Sequence, residues 1–226
     1  MKNKLLLKLE KVDTTPFGGK ALLGMLFFLL FIIPFFPQHL HRLLYNLLFT
    51  LVFISAVFSM ETAQTRILYY AILAAITEWI SYLLDFDIIH SISKIINVVF
   101  FIFIVIRLIV QIAKAKEVTA DVIVESINGY LLLGLAYSVL IATIEIIEPA
   151  SFSFGLSLME VRDTISDFSD YAYYTFVTYS TLGYGDIVPK LPFAKAVVIL
   201  ITISGQLYLT ILIAMLVGKF LNSKNK

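Results

Sequence analysis

The chain contains no cysteine. Disulfides, thiolate catalysis and cysteine-based metal sites are therefore excluded. Its three histidines, His39, His41 and His90, have no metal-ligand spacing. Charged residues make up only 15% and nearly cancel, giving a formal net charge of +1. That balance gives no basis for nucleic-acid binding. No nucleophile–base set stands out, so the sequence does not read as an enzyme. No nucleotide-binding fingerprint, calcium loop or internal repeat is found.

What is present is apolar. Hydrophobic residues make up 60% of the 226, and the mean hydropathy is +0.93. Soluble domains are nearer half apolar. The composition predicts an integral, all-α membrane protein. Residues 1–18, with Lys2, Lys4, Lys8 and Lys11 around Leu5–Leu7 and Leu9, read as a basic amphipathic segment at the cytoplasmic surface. Six apolar spans follow, at about 19–37, 43–60, 66–84, 88–113, 119–148 and 191–220. Each is near the ~20 residues that cross a bilayer core. Polar breaks lie at Gln38–Arg42, Glu61–Thr65, Asp85–Asp87 and Lys114–Val118. Lysines cluster in the N-terminal segment, at Lys20, at Lys114 and Lys116, and at Lys219, Lys224 and Lys226. Six spans put all of these on one face, which the positive-inside rule makes cytoplasmic. Asp85, Asp87, Glu145, Glu148 and Asp186 then face outward. Residues 19–116 form a four-helix scaffold, and 117–226 form a second unit.

That second unit contains an irregular stretch, Thr181-Leu182-Gly183-Tyr184-Gly185-Asp186, between a hydroxyl- and aromatic-rich run and the last span. Irregular backbone at membrane depth persists only where protein buries it or it lines a watery path. Gly183 and Gly185 can adopt positive φ without a Cβ clash. Alternating handedness would turn successive carbonyls toward one axis, replacing the water oxygens of a dehydrated cation. Residues 169–180, started by Ser169 or Asp170, read as a short helix whose negative C-terminal end points at that path.

The Thr-x-Gly-Tyr-Gly-Asp stretch, after a short helix and before a membrane helix, resembles the selectivity filter of tetrameric P-loop potassium channels. Leu182 stands where the family commonly has Val. The resemblance is strong over about 165–220 and weak before it. It implies a re-entrant pore helix and filter loop in a homotetramer with C4 symmetry, since one strand cannot encircle an ion. It implies passive, potassium-selective conduction, with potassium held at Thr181, Leu182, Gly183 and Tyr184 and no cofactor. Gly185 completes the filter. Asp186, Ser180, Thr178, Tyr173 and Tyr174 would support it. Tyr173 and Tyr174 take places where the family commonly has a Trp pair, and Val177 a place where some bacterial members carry Glu. Gly205, 20 residues after Gly185, matches the family's hinge glycine; close helix packing explains a glycine there equally well. Gln206 would face the cavity. The expected location is a prokaryotic plasma membrane, with both termini cytoplasmic. A non-selective cation channel, a potassium-uptake transporter subunit and a non-conducting assembly partner are the alternatives.

A voltage sensor needs repeated basic residues on the fourth span. Here only Lys94 and Arg107 occur, 13 residues apart, so strong voltage gating is not expected. Helical rise places Glu78 and Lys94 each about 9 Å from the outer ends of their spans, and Arg107 and Glu125 each about 9 Å from the inner ends. Two pairings follow, Glu78–Lys94 and Arg107–Glu125, with snorkelling of each charge as the alternative.

Overall fold

A computed structural model describes residues 17–60, 65–84, 87–115, 117–153 and 168–224. The amphipathic reading of residues 1–16, Asp85, Lys116 and the stretch 154–167 lie outside the described residues.

Helix α1 (Phe17–Phe27) runs into a π segment (Phe28–Ile32) and a 3-10 turn (Ile33–Phe35). Pro34, at the start of that turn, has no N–H to continue an α-helical ladder. Phe36 is extended (ψ 159°) and ends the element. Helix α2 (Gln38–Phe58) starts directly after Pro37. The expected break at Gln38–Arg42 is therefore its first helical turn, where His41 Nε2 bonds the Phe36 carbonyl at 2.6 Å. Next come α3 (Thr65–Leu84), α4 (Asp87–Lys114) and α5 (Ala120–Ile147). Thr119 caps α5 by accepting from Val122 N. The two-residue strand β1 (Phe152–Ser153) pairs antiparallel with β2 (Val188–Pro189). Between them lies α6 (Phe168–Tyr179), and α7 (Pro192–Lys224) closes the described chain.

Five of these helical stretches are long and apolar enough to cross a membrane: Gly18–Phe35, Gln38–Phe58, Ile92–Lys114, Ala120–Ile147 and Pro192–Leu221. The sixth expected span is present as α3, but its apolar part is only Ile67–Ile80. Glu78 lies within that run.

Neighbouring helices pack in chain order, and the most extensive contact is α4 against α5. α1 packs on both α2 and α5. Phe49 and Phe53 from α2 meet Phe100 and Phe101 from α4, with ring centroids 5.1–6.1 Å apart where they touch. A separate cluster surrounds α6 with Tyr137, Ile141, Phe152, Tyr171, Tyr174, Tyr179, Ile187 and Ile201. α7 is different: Ile199, Leu200, Ile203, Leu207, Ile211 and Ile213 are all exposed on the single chain.

Candidate functional site

The site grows from the end of α6. An α-helix leaves its last carbonyls without partners. Here the following strand supplies them. Ser180 N bonds Phe176 O at 2.9 Å and Thr181 N bonds Thr178 O at 2.9 Å. Leu182 N and Gly183 N both bond Val177 O, at 3.0 and 3.2 Å. Thr178 thus supports the strand through its carbonyl, while Ser180 Oγ donates back to Val177 O at 3.3 Å.

Every second residue of the strand is left-handed: Thr181 has φ 63°, Gly183 55° and Gly185 78°. The glycines take this conformation without penalty. Thr181 does not, because a β-branched residue at positive φ is sterically strained. Sequence reasoning anticipated the glycines and missed the threonine. Leu182 and Tyr184 are 55% and 67% exposed on the single chain. Tyr184 therefore does not brace against its own chain.

Tyr173 supports the Asp186 end of the strand. Its hydroxyl donates to Asp186 Oδ2 at 2.6 Å, and Asp186 Oδ1 accepts from Ile187 N at 3.0 Å. These bonds, the tyrosine's first, hold the Asp186 carboxyl below the usual carboxylate range. Tyr174 is buried, its ring 5.4 Å from Phe152. Val177 carries no carboxylate, so Tyr173 is the side chain that meets Asp186. A strap that sequence reasoning missed completes the Asp186 end of the site. β1 pairs with β2, and Lys190 N bonds Ser151 O at 2.8 Å. Glu145 at the end of α5 accepts from Ala150 N and Phe152 N, fixing the turn that delivers β1. Two-residue strands carry too short a periodic signal to be read in advance.

At the Thr181 end of the strand α7 comes close. A Cβ on Gly205 would lie 2.4 Å from Tyr179 O and 2.6 Å from its ring. Gly205 is here a close-approach residue within a continuous helix. Gln206 Nε2 reaches Thr181 Oγ1 at 3.5 Å. Tyr179 itself is fully buried, with ring centroids of Tyr130, Tyr137 and Phe176 4.6–6.3 Å away. α7 is also fixed to α5: the Tyr208 hydroxyl donates to Ser126 O at 2.8 Å and fills the notch left by Gly129.

The scaffold has its own polar centre. Glu78 Oε1 accepts from Lys94 Nζ at 3.0 Å, and Oε2 accepts from Ser93 and Asn97 at 2.9 and 2.5 Å. The Lys94 ammonium also lies 5.8 Å from the Phe49 ring centroid. The expected Glu78–Lys94 pair is formed in the interior, and neither charge snorkels. Glu125 is met by Gln111 Nε2 at 2.7 Å, one helical turn after Arg107. The tie from fourth to fifth helix at this depth thus includes an amide. At the far end of α7, Lys219 Nζ donates to the carbonyls of Ile112 and Ala113, at the C-terminus of α4.

Among the described residues no three His, Cys, Asp or Glu side chains come together as a metal cage. The oxygens the strand offers are its carbonyls and the Thr181 hydroxyl. Backbone carbonyl oxygens replace hydration shells in the selectivity filters of ion-conducting pores. No curated protein and no solved structure matches the chain. Residues 135–222, from the second half of α5 to the end of α7, match the family model described as "Ion channel", which marks this part of the chain as an ion-channel module.

Proposed function

We propose that the chain is the subunit of a homotetrameric, potassium-selective channel that conducts passively across a prokaryotic plasma membrane. The observation that carries this reading is the alternating handedness at Thr181, Gly183 and Gly185. Such alternation would aim the carbonyls of 181–184 one way, and four such strands would close a cage of oxygens sized for a dehydrated cation. Exposed Leu182 and Tyr184 and the uncovered apolar face of α7 are what such a subunit presents to its copies. The C-terminal end of α6 lends its partial negative charge, roughly half an elementary charge, to the cavity below. The lysine distribution puts both termini in the cytoplasm. With Lys94 held by a buried carboxylate, and Arg107 the other basic residue in the body of α4, the scaffold holds the pore rather than sensing voltage.

The test is cation flux into proteoliposomes of purified protein under potassium, rubidium or sodium gradients, beside a Gly183→Asp control. Potassium and rubidium flux without sodium flux, lost in the control, is the expected result. Equal sodium flux would replace the reading with a non-selective cation channel.

A further inference from the structure

The middle of α7 approaches the inner end of the filter strand in two independent ways. Gly205, lacking a side chain, lets the helix lie against the Tyr179 carbonyl, where a Cβ would stand only 2.4 Å away. The next residue, Gln206, then sits under the strand, and its Nε2 reaches Thr181 Oγ1 at 3.5 Å. Thr181 is the strained member of the strand, with φ 63°. Such a conformation persists only where the surroundings over-determine it. Its amide is fixed by Thr178 O, and its hydroxyl is met by Gln206. An exposed glutamine in a helix face made of Ile203, Leu207 and Ile211 is costly against lipid. Against a watery axis it costs nothing and supplies both a donor and an acceptor. The donor faces Thr181. A threonine hydroxyl that accepts from an amide keeps both its remaining lone pair and its own proton. The carboxamide oxygen of Gln206 belongs to the same rigid planar group as that donor.

We propose that Gln206 is a positioning residue that sets ion affinity at the innermost filter site: its amide steadies Thr181, and its carbonyl oxygen faces a cation held there. This rests on the channel reading above. The ligand class is a dehydrated cation of potassium's size. Barium, of similar radius with twice the charge, is the probe that reports on such a site most strongly.

The experiment uses the full chain, purified in detergent, as wild type, Gln206→Met and Gln206→Glu. Barium chloride binding is measured by calorimetry, assembly by native mass, and potassium flux in proteoliposomes. The methionine variant keeps the length and loses both polar atoms; barium binding should weaken at least about tenfold with the assembly intact. The glutamate variant adds negative charge and should tighten barium by about tenfold. Binding in both variants within about twofold of wild type would overturn the proposal. Loss of assembly in both would also overturn it, because no share in assembly is assigned to Gln206. Wild-type protein that binds no barium would refute the site itself. Wild-type protein that binds barium and shifts as expected, yet passes no potassium, would leave this inference standing and remove the conduction reading.

Discussion

The Tyr173 hydroxyl donates to Asp186 Oδ2 at 2.6 Å, so one turn of the short helix α6 holds the residue that follows the strand at 181–185. The bond runs to a charged acceptor and crosses from helix to loop, which makes it a stronger type than a neutral pair. Tyr173→Phe removes it and leaves the ring. The variant should assemble normally and lose potassium flux more quickly during sustained conduction. A flux time course equal to that of wild type would show that the bond does not steady the outer mouth.

The same bond gives a pH dependence with a definite sign. Asp186 is held below its ordinary value, mainly by Tyr173. A depressed folded value means the stabilisation is complete above the unfolded carboxylate pKa of about 3.9 and disappears as pH falls through the folded value. Flux should therefore persist with external acidification to below about pH 4. In Tyr173→Phe the loss should begin at higher pH. Coincident acid profiles for the two proteins would contradict this.

Glu78 is 2% exposed and Lys94 11% in their side chains. Lys94→Met leaves a buried carboxylate with only Ser93 and Asn97, which should cost about 3–5 kcal/mol. Replacing both charges, Glu78→Leu with Lys94→Met, should recover most of that loss. Thermal unfolding of the four proteins of this double-mutant cycle measures it. Additive losses would mean that the pair is not coupled.

Gly205 and Gly218 lie on the same helix in opposite situations. A Cβ at 205 would sit 2.4 Å from the Tyr179 carbonyl, whereas a Cβ at 218 meets nothing within 4 Å. Gly205→Ala should destabilise by about 1–3 kcal/mol and push α7 away from the filter, reducing flux. Gly218→Ala should stabilise slightly, by about 0.5–1 kcal/mol, through helix propensity. Equal behaviour of the two alanines would place the contact elsewhere.

At position 129 an added Cβ would lie 2.2 Å from Tyr208 Oη and 3.2 Å from its Cζ. Removing the hydroxyl removes the worst clash. Tyr208→Phe alone should cost about 1 kcal/mol or somewhat more, because the bond to Ser126 O is buried. Combined with Gly129→Ala it should rescue part of the alanine's larger loss. A double variant no better than Gly129→Ala would show that the ring, not the hydroxyl, occupies the notch.

The legible part of this molecule is the part written in local backbone chemistry. Two glycines at alternate positions between an aromatic run and a long apolar helix specify the strand at 181–185. The polar break at Lys114–Val118 marks the start of α5, and a common depth paired Glu78 with Lys94. What was not legible joins residues far apart in the chain. Lys219 meets the carbonyls of Ile112 and Ala113, Tyr208 meets Ser126, and β1 meets β2 across the whole of α6. None of these leaves a periodic trace. Thr181 was missed for another reason: local sterics argue against its conformation, and only tertiary contacts impose it. The third span shows what hydropathy leaves out, because the glutamate inside its apolar run is the residue that gathers Ser93, Lys94 and Asn97 in the scaffold interior.

Only residues 115–119 separate α4 from α5, and the two helices pack more extensively than any other pair. With a link that short, α4 lies back against α5 of its own chain. In an assembly that mixes intact and altered copies, an altered scaffold would then burden only the chain that carries it. In the proposed tetramer, an altered strand at 181–185 would spoil an axis that all copies share. Scaffold lesions should behave as recessive in such mixtures, and filter lesions as dominant.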